Sequence, residues 1–420
     1  MRRSLFKVAV VIAVYCLSLS SHSAFAAGDP VDTTDNGGAT AGSLEVVARF
    51  HFPDPSGIAV TPDGRIFVGF PRHADDHNGP TLGELRDGKI IPYPDAAWSM
   101  PSAAPVSDRL ISVHGMTTDT QGRLWMIDDG KEAGHPIQAG AAKIVGIDPK
   151  TNKVFAKIIL KPPVMLPDSH MNDLRIDLTH GAEGTAYVTD SSFGTTPAMV
   201  VVDIATGRQR RVLEHDVSTQ AVPGFMAIIE GEPLQYDAKH QRFPVGGADG
   251  ITLSPDSATL YFSPLTSRRL YSIPTAVLSD FNADERTISA AVKDEGEKGF
   301  ADGLATDAQG RIYTTDAEHD EILRRNVDGS FNVAVRDPRL LSPDGVFATD
   351  KYVYVTLGQW DRLASFNNGH DERRAPFLLV RFPIATPPTI FAPHAGPGDT
   401  VSHPAPSTTT TKASAAPSAQ

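Results

Sequence analysis

Cysteine is almost absent from this 420-residue sequence. Its one cysteine, Cys16, lies inside an apolar N-terminal segment, so residues 27–420 contain no thiol. Disulfide bonds and thiol redox chemistry are therefore excluded for that part of the chain, and a hydrophobic core must stabilise it. The sequence also lacks a Gly-x-Ser-x-Gly nucleophile motif, a phosphate-binding glycine loop and a zinc-binding helix motif. The familiar signatures of serine hydrolases, nucleotide-binding enzymes and zinc peptidases are thus missing.

Positive charge and long apolar runs are scarce as well. The chain has 38 Lys and Arg against 50 Asp and Glu, which gives a formal net charge of −12. This balance argues against nucleic acids and anionic membrane surfaces as partners. Beyond the N-terminal segment no apolar run reaches the roughly 18 residues that a membrane-spanning helix needs. We therefore expect no membrane insertion of the mature chain.

The N-terminus has the three parts of a secretory signal peptide. Arg2, Arg3 and Lys7 precede an apolar stretch at residues 8–19, and Ala24-Phe25-Ala26 supplies a small-x-small cleavage site. We expect residues 1–26 to be removed and the protein to be exported to a periplasm or to the extracellular space.

A strand–turn–strand unit recurs along the chain. Its clearest copy begins at Asp302-Gly303, turns at residues 307–310 and continues as the alternating strand Ile312–Thr315. Five looser copies share a polar first residue and two apolar strands, and they begin at Ser56, His114, Asn172, Asp249 and Asp344. Hairpins repeated at about 40 to 50 residues are typical of propeller blades, and we interpret the longer intervals between these copies as the same repeat with insertions.

Six copies predict an all-β fold, a six-bladed β-propeller over residues 44–385. The alternating segment Leu44–Phe50 is expected to be the outer strand of the last blade, because joining the two ends of the chain removes the free sheet edges. Residues 27–43, rich in Gly, Thr and Asp, are expected to be a flexible lead-in. Residues 386–420, rich in Pro, Thr, Ser and Ala, are expected to be a disordered tail.

The first residue of each copy is the main candidate for a functional site. The inner strand of every blade lines the central tunnel of a propeller, so six residues are expected to meet at the axis: Ser56, His114, Asn172, Asp249, Asp302 and Asp344. Three carboxylates that converge in one place repel one another unless a proton or a cation lies among them. The alternative is that each Asp-Gly pair is a local turn whose aspartate caps nearby N–H groups.

Two further segments have more than one interpretation. The loop that contains His73, Asp75, Asp76 and His77 has the residue types of metal ligands, but nothing in the sequence fixes their geometry, so we interpret it as a solvated loop. The longest interval between copies contains an insertion at His215–Val245. Its apolar residues form either a flap over one mouth of the tunnel or an outer hairpin that covers a blade edge.

The fourth copy contains the most specific motifs of the chain. They are Asp-Gly-Ile-Thr-Leu-Ser-Pro-Asp at 249–256, Leu-Tyr-Phe-Ser-Pro-Leu-Thr-Ser at 260–267 and Leu-Tyr-Ser-Ile-Pro-Thr at 270–275. With these motifs, residues 45–385 resemble the major royal jelly and yellow family. The resemblance implies a six-bladed propeller, and it links the chain to a family associated with pigment metabolism, small-amine binding and nutrition.

The tunnel residues are also distantly similar to those of the gluconolactonase and regucalcin propellers. Those proteins hold one divalent cation with a glutamate, two asparagines and an aspartate, and the matching positions here are Ser56, Asn172, Asp249 and Asp302. The resemblance implies one cation, calcium or zinc, with Asn172, Asp249 and Asp302 as its ligands. Two positions depart from the pattern: Asp249 has an acid in place of an asparagine amide, and Ser56 lacks the carboxylate of the lactonase glutamate.

These features predict a protein that binds a small polar organic molecule at the tunnel. If it is an enzyme, the resemblance implies a metal-assisted lactone hydrolase in which His114 or Asp302 moves the proton, while Ser56, His114 and Asp344 contact the ligand. His114 is otherwise a buried histidine bonded to a carbonyl group. The alternative functions are a carrier of small amines or sugars, a tautomerase similar to the dopachrome-converting yellow proteins, and a scaffold without a ligand.

Overall fold

The computed structural model describes residues 43–192, 196–234 and 245–384. Within these ranges the chain forms six four-stranded antiparallel sheets and one two-stranded hairpin. The predicted signal peptide, the lead-in up to residue 42 and the tail at residues 386–420 lie outside the described residues. No helix in the described ranges is long and apolar enough to cross a bilayer.

Each sheet is one blade, and five of the six blades take their strands consecutively from the chain. Blade one contains β2 (Ile58–Val60), β3 (Ile66–Gly69), β4 (Leu82–Arg86) and β5 (Lys89–Pro92), and it follows β1 (Glu45–Phe50). Blade two contains β6 (Val113–Thr118), β7 (Leu124–Asp128), β8 (Lys143–Asp148) and β9 (Lys153–Ile159). Blade three contains β10 (Met171–Asp177), β11 (Thr185–Asp190), β12 (Ala198–Asp203) and β13 (Gln209–Val212).

The short hairpin follows blade three and consists of β14 (Ile228–Ile229) and β15 (Glu232–Pro233). Blade four contains β16 (Ala248–Leu253), β17 (Thr259–Pro264), β18 (Arg269–Pro274) and β19 (Lys293–Glu297). Blade five contains β20 (Leu304–Thr306), β21 (Ile312–Asp316), β22 (Glu321–Arg325) and β23 (Phe331–Arg336). Blade six contains β24 (Pro343–Ala348), β25 (Tyr352–Leu357) and β26 (Phe377–Pro383).

Blade six is completed by the start of the chain. Its strand order is β24, β25, β26 and β1, and β1 runs antiparallel to β26 with Glu45 opposite Arg381. The side chains of this pair form a salt bridge of 2.8 Å. The structure thus confirms the predicted six-bladed β-propeller and its closure by the segment Leu44–Phe50, which joins the start of the chain to the last blade.

Among the residues that the structure describes, helical structure is confined to the connections. The helices are α1 (Ala96–Ser99), α2 (Thr275–Ser279) and α3 (Glu285–Ala291), and the 3-10 turns are Val106–Asp108, Trp360–Arg362 and Ala364–Phe366. The side chain of Asp284 caps α3 by accepting a hydrogen bond of 2.8 Å from the N–H of Thr287.

The core lies between neighbouring blades. Trp125 and Ile144 of blade two pack in one buried cluster with Val188 and Val200 of blade three, and equivalent clusters occupy other blade interfaces. Outer strands alternate instead, and β9 is exposed or half-buried along its whole length. Apolar burial between the blades therefore holds the inner strands around the axis.

Candidate functional site

All six residues that begin the repeats meet at the axis. Ser56, His114, Asn172, Asp249, Asp302 and Asp344 surround one small chamber of about 20 Å³. We call these six residues the axial ring. A chamber of this size has room for about one water molecule or one small ion.

Local breaks in strand pairing turn the ring residues towards the axis. The inner strand of four blades loses regular register at the ring position, between Val113 and Met116 in blade two and between Ala248 and Ile251 in blade four. Blades three and six show the same irregularity. Bulges of this kind re-aim side chains and are frequent beside active sites.

The glycine after a ring residue allows the blades to approach one another. A β-carbon added at Gly303 would lie less than 3.0 Å from the carbonyl oxygen of Asp344, and one added at Gly345 would lie equally close to that of Ser56. Gly57, Gly115 and Gly250 make the equivalent approach to the ring residue of the next blade. None of these five glycines has a left-handed φ. The Asp-Gly pairs are therefore contacts between blades, and the alternative of local turns is wrong.

Blade three departs from this pattern and closes the tunnel from the other side. It has Asp173 where the other blades have glycine, and the Asp173 carboxylate binds the guanidinium of Arg175 at 2.9 Å through both oxygens. Arg175 also donates a 2.8 Å hydrogen bond to the carbonyl of Leu304 in blade five. It lines a separate cavity of about 240 Å³ at the opposite end. The ion pair therefore separates the axial ring from that opening.

The carboxyl groups of the ring are held in an unusual protonation state. Burial raises the pKa of Asp249 to about 7, although hydrogen bonds from Asp302 and the Asn172 amide oppose this effect. Burial and the neighbouring carboxylates raise the pKa of Asp302 and of Asp344 well above the ordinary range. Ser56 hydrogen-bonds Asp344 and so faces the ring. Near neutral pH the ring therefore holds protons that a cation can replace.

A large cavity opens directly onto the ring. It has a volume of about 890 Å³, and five ring residues, all except Ser56, form its floor. Its other lining residues are mostly apolar or aromatic and include Val222, Phe225, Leu265, Phe300, Trp360 and Phe366. Lys131, Asp361, His73 and His170 are the charged and imidazole side chains among them. The structure thus combines buried carboxyl groups with an aromatic wall in one space.

The insertion after blade three lies against this cavity. Val222, Phe225 and Leu234 line it, and the Phe225 ring packs 5.7 Å from that of Phe300. Glu318 of blade five holds the insertion against that blade, because its carboxylate accepts a 2.9 Å hydrogen bond from the N–H of Ile228. The sequence left two interpretations of this insertion, a flap over a tunnel mouth and an outer hairpin on a blade edge. The described part of the insertion agrees with the flap, because it lines the cavity above the axial ring. Residues 235–244 of it lie outside the described residues.

Three histidines form a second polar group at the wall of the same cavity. The rings of His73, His114 and His170 lie 4.8 to 5.0 Å apart, and His73 stacks on Trp360 at 5.3 Å. We call His73, His114 and His170 the histidine cluster. His114 belongs to the axial ring as well, so the two groups adjoin.

The interpretation of the His73 segment as a solvated loop holds for Asp75 and Asp76, whose side chains are exposed, and not for His73 and His77. The loop is pinned by Arg72, whose guanidinium donates to the carbonyl of Gly79 at 2.7 Å and to Asp76 at 2.9 Å. His77 is buried, with its ring 3.0 Å from the carbonyl of Phe70. His73 thereby points into the cavity. No sequence spacing marked this position, and the only hint of His170 was its place two residues before Asn172.

Burial keeps the cluster neutral. It lowers the pKa of His114 to about 3 and that of His170 to about 4, and it lowers the pKa of His73 well below the ordinary value. The ring of His114 also hydrogen-bonds the backbone of Asn172, as the simpler of its two interpretations expected. A histidine with this pKa is a weaker proton acceptor than an exposed one. Whether His114 acts as a base therefore stays a prediction.

Asp129 stands beside the cluster. Its Oδ2 lies 3.5 Å from Nδ1 of His170, and burial raises its pKa to about 6. The preceding residue, Asp128, fixes this turn by accepting hydrogen bonds of 2.8 Å from the N–H groups of Ile111 and Ser112. Lys143 is the counter-charge of Asp128 at 2.6 Å, fully buried.

Residues 111–367 match the model of the family described as Major royal jelly protein. This chain belongs to that family. The match lies within residues 45–385, so it confirms the resemblance seen in the sequence. Major royal jelly protein 3 of Apis mellifera is 23% identical over 233 residues, which are 54% of this chain and 38% of that protein. Protein yellow of Drosophila guanche is 25% identical over 237 residues, 51% of this chain and 38% of that protein.

The match to these two major royal jelly and yellow proteins spans about two fifths of their length. Among solved structures, a gluconolactonase from Xanthomonas campestris has a TM-score of 0.46 and 12% identity, covering 81% of this chain and 89% of that one. A calcium-binding regucalcin from Agrobacterium tumefaciens has a TM-score of 0.47 and 15% identity, covering 82% and 95%. The six-bladed fold of this royal jelly family member is shown by its own sheet topology.

Proposed function

We propose that this protein binds a small organic molecule that carries a positively charged amine next to an apolar or aromatic group. One observation carries the proposal: the buried carboxyl groups of Asp249, Asp302 and Asp344 face a cavity that is also lined by the aromatic side chains of Phe225, Phe300, Trp360 and Phe366. No lysine or arginine of the described ranges forms a salt bridge with any of the three. The charge of buried Lys298 lowers the pKa of Asp302 but does not outweigh burial and the neighbouring carboxylates, which keep that pKa well above its ordinary value. The ammonium group of a ligand would supply further counter-charge.

The dimensions of the cavity agree with this ligand class. Ligand sites commonly enclose about 300 to 1,000 Å³ and combine apolar walls with a few convergent polar groups. Here the volume is about 890 Å³, and the aromatic side chains of Phe225, Phe300 and Trp360 line the same cavity as the carboxyl groups. Aromatic faces attract organic cations as well as stacking with apolar rings. An anionic molecule would instead meet the carboxyl groups of the floor.

Calorimetry with a panel of amines and their neutral isosteres tests the proposal. For the pair 2-phenylethylamine and 2-phenylethanol we expect the amine to bind at least about tenfold more tightly, a difference of about 1.4 kcal/mol. Asp302→Asn and Asp344→Asn should weaken amine binding by a similar factor. Asp350→Asn is the matched control, because Asp350 is exposed and outside the ring. If no amine of the panel binds more tightly than its isostere, the proposal fails.

A metal-assisted lactone hydrolase is the second candidate. It is favoured by the 20 Å³ chamber, whose donors are carboxyl, amide and hydroxyl oxygens of the kind that calcium prefers. Asn172, Asp249 and Asp302 would hold the cation, which when bound supplies a Lewis acid that polarises a carbonyl group. Asp302 and Asp249 share a hydrogen bond, so this pair can take up or release a proton next to the ligand. Ser56, which bonds Asp344, provides no carboxylate.

Metal content and lactone turnover separate the two candidates. Protein purified mildly in calcium, then desalted, should carry stoichiometric calcium and open a lactone if the second candidate is right, and both properties should disappear in Asp302→Asn. Protein without calcium that binds amines supports the first. A carrier of sugars and a tautomerase would use the same cavity and remain predictions from the sequence.

A further inference from the structure

The histidine cluster has the composition of a transition-metal site. One nitrogen from each of His73, His114 and His170 lies within 4.8 Å of the other two. The three residues come from three different blades: His73 follows β3, His114 lies in β6 and His170 immediately precedes β10. Neutral imidazole is the commonest ligand of transition metals in proteins. Packing of the blades has therefore brought together three donors of one kind.

The surroundings of the cluster are those that metal-binding histidines need. A metal-bound imidazole usually gives its second nitrogen to a backbone carbonyl or a carboxylate, which orients the ring. His114 has such a bond to the backbone of Asn172, and Asp129 Oδ2 lies 3.5 Å from His170 Nδ1. Neither Asp129 Oδ2 nor His73 Nδ1 has a hydrogen-bond partner in the described part of the chain, although both atoms are buried. Buried polar atoms without partners are rare in folded proteins and point to a missing ion or water.

We propose that His73, His114 and His170 bind one zinc ion, or a similar transition-metal cation, at the wall of the large cavity. Three protein nitrogens leave the fourth position of a tetrahedral zinc to an exogenous ligand, as in catalytic rather than structural sites. All three histidines line the cavity, so this position is reached from it. The stacked ring of Trp360 shields the site on one side.

This site is distinct in chemistry from the axial ring. Nitrogen donors suit zinc, copper, nickel and cobalt, whereas the oxygen donors of the ring suit calcium. The inference does not depend on amine binding, because it involves neither Asp302 nor Asp344. The second group of candidate ligands in the described ranges, Asp316, His319 and Glu321, is less suited. The carboxylate of Glu321 there is already paired with Arg336 at 2.7 Å.

The test uses the full chain without a histidine tag, stripped with EDTA and titrated with CoCl2 and ZnCl2. We expect one equivalent of Co²⁺ to produce the visible absorption bands of a four- or five-coordinate nitrogen site, and one equivalent of Zn²⁺ to bleach them. Calcium should leave the bands unchanged. His73→Ala, His114→Ala and His170→Ala should each abolish them, whereas Asp129→Asn should weaken binding about 10- to 100-fold.

Three controls keep the outcomes separate. His319→Ala should retain full cobalt binding, and loss of binding there would move the site to the other cluster and overturn the proposal. Thermal melting of each variant shows whether the fold is intact, and His170→Asn replaces His170→Ala if the latter unfolds. Asp302→Asn should keep the cobalt spectrum even where amine binding is lost, so failure of the proposed function and of this inference are distinguishable. Absence of a one-equivalent cobalt spectrum in the wild type, or its persistence in folded histidine variants, refutes the site.

Discussion

The carboxyl groups of Asp249 and Asp302 share a hydrogen bond at the axis of the propeller. Asp249 lies in β16 of blade four and Asp302 precedes β20 of blade five, and between them Gly250 packs against the carbonyl oxygen of Asp302. Because Gly250 has no side chain, blades four and five can approach closely enough for Asp249 and Asp302 to meet. With Asp344 from blade six they concentrate acidity where no salt bridge from the described residues offsets it.

The acidic ring is expected to cost stability. Replacing Asp302 by Asn removes one of three buried, mutually repelling carboxyl groups and keeps a side chain that can still donate to Asp249. We expect the free energy of unfolding at pH 8 in EDTA to rise by on the order of 1 kcal/mol, as measured by urea denaturation. Asp350→Asn should leave it unchanged. A loss of stability in Asp302→Asn would show that the carboxyl group of Asp302 stabilises the fold, which contradicts this prediction.

The glycine contacts between blades should tolerate no added carbon. In Gly303→Ala the new β-carbon would collide with the carbonyl oxygen of Asp344, so we expect a loss of about 1 to 3 kcal/mol in the free energy of unfolding. Gly79→Ala is the control, since its β-carbon would meet its nearest atoms at an ordinary 3.5 Å. Equal stabilities of the two variants, compared by urea denaturation, would contradict the role assigned to the glycines.

The turn that carries Asp129 should depend on a buried ion pair. The ammonium of Lys143 lies 2.6 Å from Asp128 and also donates to the carbonyls of Ala141 and Val106. Lys143→Met leaves Asp128 buried without its counter-charge, so we expect a loss of about 3 to 5 kcal/mol. Chemical denaturation measures it.

Lys157→Met supplies the comparison for that experiment. Lys157 forms a 2.9 Å pair with Asp108 at the protein surface, where solvent screens the charges. We expect little change in that variant. If both lysine variants unfold at the same denaturant concentration, the buried pair does not stabilise this turn.

The pH dependence of stability should carry a contribution from Lys298. Burial lowers the pKa of its ammonium to about 8 in the folded protein, whereas an unfolded lysine titrates near ~10.4. The unfolded state therefore binds more protons between these two values, and stability rises with pH across that window. Below pH 8 the cost of burying the charge is fully present.

A comparison with Lys298→Met isolates this contribution. Groups that do not interact with Lys298 titrate alike in both proteins, whereas Asp316, Asp249 and Asp302 lose a favourable neighbouring charge in the variant. The difference between the two free energies of unfolding should therefore shift in favour of the wild type by about 3 kcal/mol from pH 7.5 to 10.5. Urea denaturation across this range measures the difference. A difference that stays constant with pH would show that Lys298 is not held as a buried cation.

Several features of the site followed from the sequence and several did not. The polar residues of the ring were predicted because they occupy one position in successive repeats, and a repeat fixes position within a blade. Asp173 and Arg175 break the repeat in blade three, so the ion pair that closes the other end of the tunnel had no pattern to reveal it. Likewise the insertion had two interpretations, because apolar residues alone do not say which surface they cover.

The sequence by itself determined the number of blades, the closure of the ring by Leu44–Phe50 and the set of side chains that face the axis. These are consequences of local periodicity and of the equivalence of the repeats. Only the tertiary structure showed that His73 and His170 lie next to His114. His73 lies in a loop after β3, His170 immediately precedes β10 and His114 lies in β6, so the three residues belong to three separate blades. It also decided the protonation of the ring, since pKa values depend on burial and on neighbours that the chain order does not specify.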